Sequence, residues 1–294
     1  MINNMKFIEG GEKYIYYLQF ERDTPVTEQT LETVKKRIKQ LGLVWQGKEV
    51  EALTLQDILA FKKELLDRGC TLNYVRAYFI LLRSLFKYLS TITTCLDYTS
   101  IKPPHVPVKD VDYLNKNEVQ KMLSYFNEEI ISDLRSKAMV MILLDTGMRI
   151  HECINLNRDT IDFENKTAII VGKGRKTRMV LFTEWSLSIV KKYLDLREDS
   201  NSALFVTHTK YPFIPQRIKQ DGFRGYLRMI SKKMGKKITP HTLRRTAGTN
   251  LRNNGADILM IKEFLGHENL ATTNRYLGID YERLKKEHEK YMVY

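Results

Sequence analysis

Lys102-Pro103-Pro104-His105-Val106-Pro107-Val108-Lys109-Asp110 is the stretch where the chain's periodicity stops. Three prolines fall within five residues, and proline this dense gives an extended, semi-rigid connector rather than a helix or a strand. Counted from Ile101, twelve extended residues reach roughly 40 Å. The stretch therefore predicts two domains: residues 1–104 before the connector, a linker over 105–111, and residues 112–294 after it.

Toward the N-terminus the pattern is helical. Leu31, Val34, Ile38 and Leu41 recur at helical spacing and predict an apolar stripe. Thr54 and Asp57 form a capping-box pair ahead of the stripe Ile58, Phe61 and Leu65, and Gly69 supplies a left-handed stop. Thr71 caps a third helix with the stripe Leu72, Val75, Phe79, Leu82, Phe86 and Leu89. Its other side carries Asn73, Arg76, Arg83 and Lys87. Those four read either as a solvated face or as a face laid against phosphates and base edges.

Toward the C-terminus the pattern is mixed. The apolar run Ala138–Leu144 predicts a buried helix ending near Gly147. Thr167–Val171 and Met179–Phe182 read as two strands joined by the basic segment Gly172-Lys-Gly-Arg-Lys-Thr-Arg178. Helices are expected again over Pro240–Arg252 and Ile258–Leu265, closed by Gly255 and Gly266. The charged end, Tyr281–Tyr294, is helix-prone.

Composition narrows the function. The 294 residues carry 48 Lys+Arg against 35 Asp+Glu, a net charge of +13. Residues 1–110 hold 16 basic and 13 acidic side chains, so most of the surplus lies in the second part. Such a surplus favours a polyanionic partner, nucleic acid or an anionic membrane surface. The longest apolar run is well short of the ~20 residues of a membrane span, so no bilayer crossing is expected. The first residues lack the apolar stretch of a secretory signal. Three isolated cysteines, Cys70, Cys95 and Cys153, argue for free thiols in a reducing cytoplasm. No phosphate-loop, HExxH or GxSxG spacing occurs, and the six histidines show no short metal-ligand spacing. No metal and no cofactor is expected.

What remains is a scattered set of cations and one tyrosine. Thr146-Gly-Met-Arg149 places an arginine after a glycine break, with Glu152 three residues on. Lys173 sits on the basic turn. His241-Thr-Leu-Arg244 falls in the first turn of a helix with Thr239 as cap and Pro240 at its first position. Residues three apart share a helix face, so imidazole and guanidinium can address one anion at the positive helix end. His267 follows the Gly266 stop, and Tyr276 comes nine residues later.

In order and spacing these elements resemble the tyrosine recombinase (phage-integrase-like) family, most of all its two-domain Xer-type members. The resemblance implies a mainly α fold with a small β-sheet: an N-terminal helical, SAM-like core-binding domain and a mixed α+β catalytic domain. It implies a site-specific recombinase that cuts and rejoins DNA through a 3′-phosphotyrosyl intermediate, without metal or ATP. It implies Tyr276 as nucleophile, Arg149 and Arg244 as the phosphate clamp, Lys173 as general acid, His241 as candidate general base and His267 as a hydrogen-bond donor. Glu152 would orient Arg149. Arg175 and Lys176, like the basic face of residues 73–87, would contact DNA. The implied partners are double-stranded DNA with inverted half-sites, four protomers on two duplexes, and a partner recombinase or accessory protein in some systems. The C-terminal helix would be exchanged between protomers. Larger integrases carry an arm-binding domain, for which residues 1–26 are too short. His151 stands where a small hydroxyl residue is common, and Asp145 has no role that the resemblance explains. Two alternatives stay open: a type IB topoisomerase-like relaxing enzyme, and a DNA-binding protein that does not cut.

Overall fold

The computed structural model describes residues 5–107, 112–172, 177–208, 214–266 and 288–292. The chain divides into two compact units, Met1–Lys109 and Asp110–Tyr294.

The first unit is helical. Its helices are α1 (Phe7–Tyr16), α2 (Glu28–Val44), α3 (Leu55–Asp67) and α4 (Leu72–Leu89). Leu31, Ile38 and Leu41 of α2 are buried, as are Ile58, Phe61 and Leu65 of α3. Thr54 and Asp57 make the expected reciprocal cap, and Gly69 takes a φ of +77°. On α4 the burial is wider than the periodic stripe, because Tyr78, Leu81 and Leu85 are buried too; Leu72, read as core, is exposed. Helix α1 escapes a sequence reading because Gly10-Gly11 argues against helix. A Cβ on Gly11 would lie 2.4 Å from Ile38 Cγ2, so the bare backbone is what lets α1 press against α2.

The second unit is mainly helical around a small sheet. Its elements are α5 (Lys116–Leu123), α6 (Ile131–Thr146), α7 (Ile150–Ile154), β1 (Ile161–Asp162), β2 (Thr167–Val171), β3 (Thr177–Leu181), α8 (Glu184–Asp195), α9 (Gln220–Met234), α10 (Pro240–Asn253) and α11 (Ile258–Leu265). Helix α6 is buried on every side from Ala138 to Thr146, as its unbroken apolar run requires. It ends at Gly147, whose φ of +57° suits glycine.

The three strands form an antiparallel sheet in the order β1-β2-β3. Ala168 and Ile170 of β2 point inward, whereas Ile169 and Val171 are exposed. Arg178 pairs with Ile170 and so shares the inward face. The second strand of the hairpin starts two residues earlier than its apolar run suggests, because Thr177 and Arg178 complete the ladder with Val171 and Ile170. Two helices, α8 and α9, lie where the sequence reads as a polar stretch. Both are amphipathic: α8 buries Leu187, Val190 and Tyr193, and α9 buries Phe223, Leu227 and Ile230.

Asp145 has a structural task. Its side chain is fully buried, and Oδ2 accepts from the Thr183 backbone N–H at 2.7 Å, the Thr183 hydroxyl at 3.1 Å and the Ser186 hydroxyl at 2.5 Å. Thr183 is the N-cap of α8, so this carboxylate ties the end of α6 to the start of α8. Burial pushes its carboxyl above the usual aspartate range. From the C-terminal segment, the buried His288 donates through Nε2–H to the Asp145 carbonyl at 2.9 Å.

Candidate phosphate-binding site

Three pieces of chain meet at the C-terminal end of α6. Gly147 makes the turn there. A Cβ on it would lie 2.7 Å from the Phe264 ring and 2.8 Å from Leu265, so α11 packs directly on its bare backbone. Two residues later Arg149 occupies the N-cap of α7. Its backbone N–H donates to Glu152 Oε2 at 2.7 Å, and its Nη1 donates to Oε1 at 3.2 Å.

Helix α11 ends against this turn, with Gly266 as its left-handed cap. Its last carbonyls carry the negative end of the helix dipole, and they collect guanidinium groups. Arg244 Nη2 donates to the Leu265 carbonyl, and Arg149 Nη2 donates to the Gly266 carbonyl at 3.3 Å. Arg244 Nη1 donates to the Gly147 carbonyl at 2.7 Å. Two arginines 95 positions apart in the sequence are thus held by one helix end and one glycine turn.

The electrostatics follow from that crowding. Arg244 is buried, and its guanidinium is pulled down to about 10, by burial first and then by the charges of Arg149 and Arg178. It remains charged at neutral pH. His241, in the first turn of α10, is held below its usual range by burial and then by the positive charges of Arg244, Arg245, Arg149 and Arg224. Its imidazole is therefore neutral at pH 7 and able to accept a proton.

A cleft of about 500 Å³ opens beside these groups. Arg149, Arg224, Arg228, Lys237 and Arg244 line it together with His151 and His241, and among the described residues no acidic side chain does. Positive side chains at the mouth of a helix N-terminus form an anion site.

Of the residues singled out from sequence, Arg149, Glu152, His241 and Arg244 come together here. Lys173, Arg175, Lys176, His267 and Tyr276 lie outside the described residues. Asn73, Arg76, Arg83 and Lys87 are exposed on α4 of the other unit, where Arg76 Nη1 donates to the Pro104 carbonyl at 2.9 Å. His151 lines the cleft.

The structure adds four cations that the sequence reading did not select. Arg178 makes a two-pronged bridge to Glu152, with both N···O distances 2.9 Å. Its signal was weak, because an arginine beside a basic turn reads as one more surface charge. Arg224 and Arg228 sit four residues apart on α9, and the spacing of Phe223, Leu227 and Ile230 would have revealed that helix. Lys237 precedes the cap of α10. Among the described residues no group of three or more His, Cys, Asp or Glu side chains is placed to hold a metal ion. No helix among them is long and apolar enough to cross a membrane.

The fold and this site define a mainly helical protein with a small sheet and a basic-lined cleft at which two arginines meet. Residues 112–283 match the phage integrase family, and the chain belongs to it. It is 32% identical over 262 residues to a tyrosine recombinase of Thermosipho africanus, covering 86% of this chain and 89% of that one. It is 29% identical over 280 residues to the tyrosine recombinase XerA of Thermococcus onnurineus, covering 95% of this chain and 94% of that one. Among solved structures, the Tn1549 transposon integrase in complex with transposon right end DNA shares the fold, with a TM-score of 0.76 at 18% identity over 98% of this chain and all of that one. The XerH site-specific recombinase bound to its difH substrate does so with a TM-score of 0.64 at 19% identity, over 95% and 96% of the two chains.

Proposed function

We propose that this protein is a site-specific DNA recombinase that cuts and rejoins strands through a 3′-phosphotyrosyl link. The observation that carries the reading is the pinning of Arg149 and Arg244 by Gly147 and the end of α11, beside a neutral His241. Phosphodiester transfer needs a nucleophile, a clamp on the non-bridging oxygens, and an acid for the leaving oxygen. Two guanidinium groups fixed before the reaction stabilise the negative charge that develops on those oxygens.

Tyr276 supplies the nucleophile in this reading. Its hydroxyl oxygen attacks the scissile phosphorus, the phenolic proton passes to His241, and the 5′-oxygen leaves with a proton from Lys173. The phosphotyrosyl ester conserves the bond free energy, so a 5′-hydroxyl from another strand can reverse the step. His267 donates a further hydrogen bond to the phosphate.

Duplex DNA would be held by both units, as domains 1–104 and 112–294 joined by the linker 105–111. Asn73, Arg76, Arg83 and Lys87 would grip one side, with Arg175 and Lys176 on the other. Joining two duplexes calls for four protomers on inverted half-sites, with the C-terminal helix exchanged between neighbours. The protein acts in the cytoplasm in this reading.

Incubation of the full chain with a fragmented, nicked genomic DNA library tests the proposal. Protein-linked DNA of a single sequence class is the expected result. Supercoil relaxation without recombinant product would instead mark a topoisomerase-like enzyme. Binding with no covalent product would mark a DNA-binding protein that does not cut.

A further inference from the structure

We propose that Arg178 is a positioning residue that occupies Glu152 and so leaves Arg149 free to take a phosphate oxygen. The inference rests on the phosphodiester-transfer reading of the site.

Glu152 is the carboxylate beside the two clamp arginines, and its side chain is only 4% exposed. A buried carboxylate demands charged partners. The partner with the better geometry is Arg178, whose Nη1 and Nη2 reach Oε1 and Oε2 at 2.9 Å each, the parallel fork that makes guanidinium–carboxylate pairs strong. Arg149 is left with looser side-chain contacts, 3.2 Å to Oε1 and 3.3 Å to the Gly266 carbonyl. A third of its side chain stays open, against 18% of Arg178.

The charges point the same way. Burial works against the Glu152 carboxylate, yet the Arg149 backbone N–H and the bond and charge of Arg178, followed by the charge of Arg149, hold its carboxyl below the usual range. With Arg149 as its only cation, the carboxylate would draw that guanidinium into a closed two-pronged pair. The positive charge meant for the phosphate would then be spent inside the protein. Two arginines on one carboxylate leave a net positive charge, and it sits on the more exposed of the two.

Arg178 is well seated for this task. It lies on the inward face of β3, opposite Ile170, on the hairpin that carries Lys173 in sequence. Its guanidinium lies against the bare backbone of Gly266: a Cβ there would be 2.8 Å from Nη1 and 3.0 Å from Cζ. One side chain therefore sets the hairpin, Glu152 and the end of α11 in register.

The test compares R178M and R178M/E152Q in the full chain, with thermal melts to verify folding. The substrate is a nicked duplex carrying the site that wild-type protein selects from the genomic library. R178M is expected to slow single-turnover adduct formation by roughly 10–100-fold, the cost usual for an outer partner of a charged site, while Kd for the duplex changes little. Adding E152Q should restore much of the rate, because the unopposed carboxylate is gone. A merely structural role predicts no such rescue, and an R178M/E152Q rate no better than R178M overturns the inference. So does wild-type speed in R178M. If R178M does not fold, R178Q and R178Q/E152Q replace it under the same criteria.

A second readout needs no DNA cleavage. The Arg149 Nε–H resonance, identified by its loss in R149K, should shift with inorganic phosphate in wild type, fail to shift in R178M and shift again in R178M/E152Q. Equal responses in all three, or none in wild type, overturn the inference. A wild type that forms no covalent adduct on any library DNA refutes the recombinase reading, while the phosphate titration still decides the role of Arg178.

Discussion

Arg244 on α10 donates at 2.7 Å to the carbonyl of Gly147, the residue that ends α6. This bond ties Arg244 to the turn that leads into Arg149, the other arginine of the proposed clamp. Lysine at 244 keeps a charge but cannot reach the Gly147 and Leu265 carbonyls while presenting a planar fork to phosphate. Arg244→Lys should lower the rate of covalent adduct formation by about 10²-fold, and Arg149→Ala by at least as much. Single-turnover assays on a nicked duplex measure both.

Gly147 should tolerate no side chain. Alanine there would combine a φ of +57° with a Cβ 2.7 Å from Phe264. Gly147→Ala is expected to cost about 1–3 kcal/mol of stability and to slow cleavage further by moving Arg149. Urea titration gives the first quantity and adduct formation gives the second.

Tyr276→Phe should bind DNA as tightly as wild type and form no covalent adduct. Gel-shift and denaturing-gel assays on one substrate separate the two properties. Adduct formation by the Phe variant at wild-type level would assign the nucleophile to another residue. Wild-type activity should also survive EDTA.

His241 is held below its ordinary range by burial and by four neighbouring arginines. A base of depressed pKa stays deprotonated, and active, to lower pH. The acid limb of the cleavage rate should therefore lie below the ~6.5 of an ordinary imidazole. His241→Gln should lower the plateau and remove that acid limb. A pH–rate profile of the two proteins checks this.

Asp199 is pulled down to about 2, chiefly by its hydrogen bonds and charge pairing with Arg197, with help from Arg158. Its folded value lies below its unfolded value. Its contribution is therefore complete above about pH 4 and is lost as the pH falls toward 2, an effect of roughly 2 kcal/mol. Asp199→Asn should flatten the dependence of stability on pH across that window, as followed by urea denaturation at pH 2.5 to 5. Asp145→Ala, by contrast, should destabilise at every pH, since it strands the buried donors of Thr183 and Ser186.

Much of the architecture was legible in one dimension. Thr54 with Asp57, Thr71, and Thr239 with Pro240 announced helix starts, because a cap is a local matter of one oxygen and one orphan N–H. The unbroken run in α6 announced a helix buried on all sides. Helix α1 is hidden by Gly10-Gly11, whose bare backbones meet side chains far along the chain, Leu89 and Val50 at Gly10 and Ile38 at Gly11. The helices α8 and α9 are hard to see in the sequence although their stripes are present, since charged residues dilute them.

The chemistry followed the same division. The sequence nominated Arg149, Glu152, His241 and Arg244 through its resemblance to a family, because each local pattern is weak alone and only their order and spacing together carry the resemblance. Only the folded chain could show which partner each one has. Arg178 and Glu152 are 26 residues apart, and Arg149 meets the Gly266 carbonyl across 117. Such pairings arise where the end of α6, the end of α11 and the β2–β3 hairpin meet. A guanidinium is read as surface or as site only once that packing decides how much water it keeps.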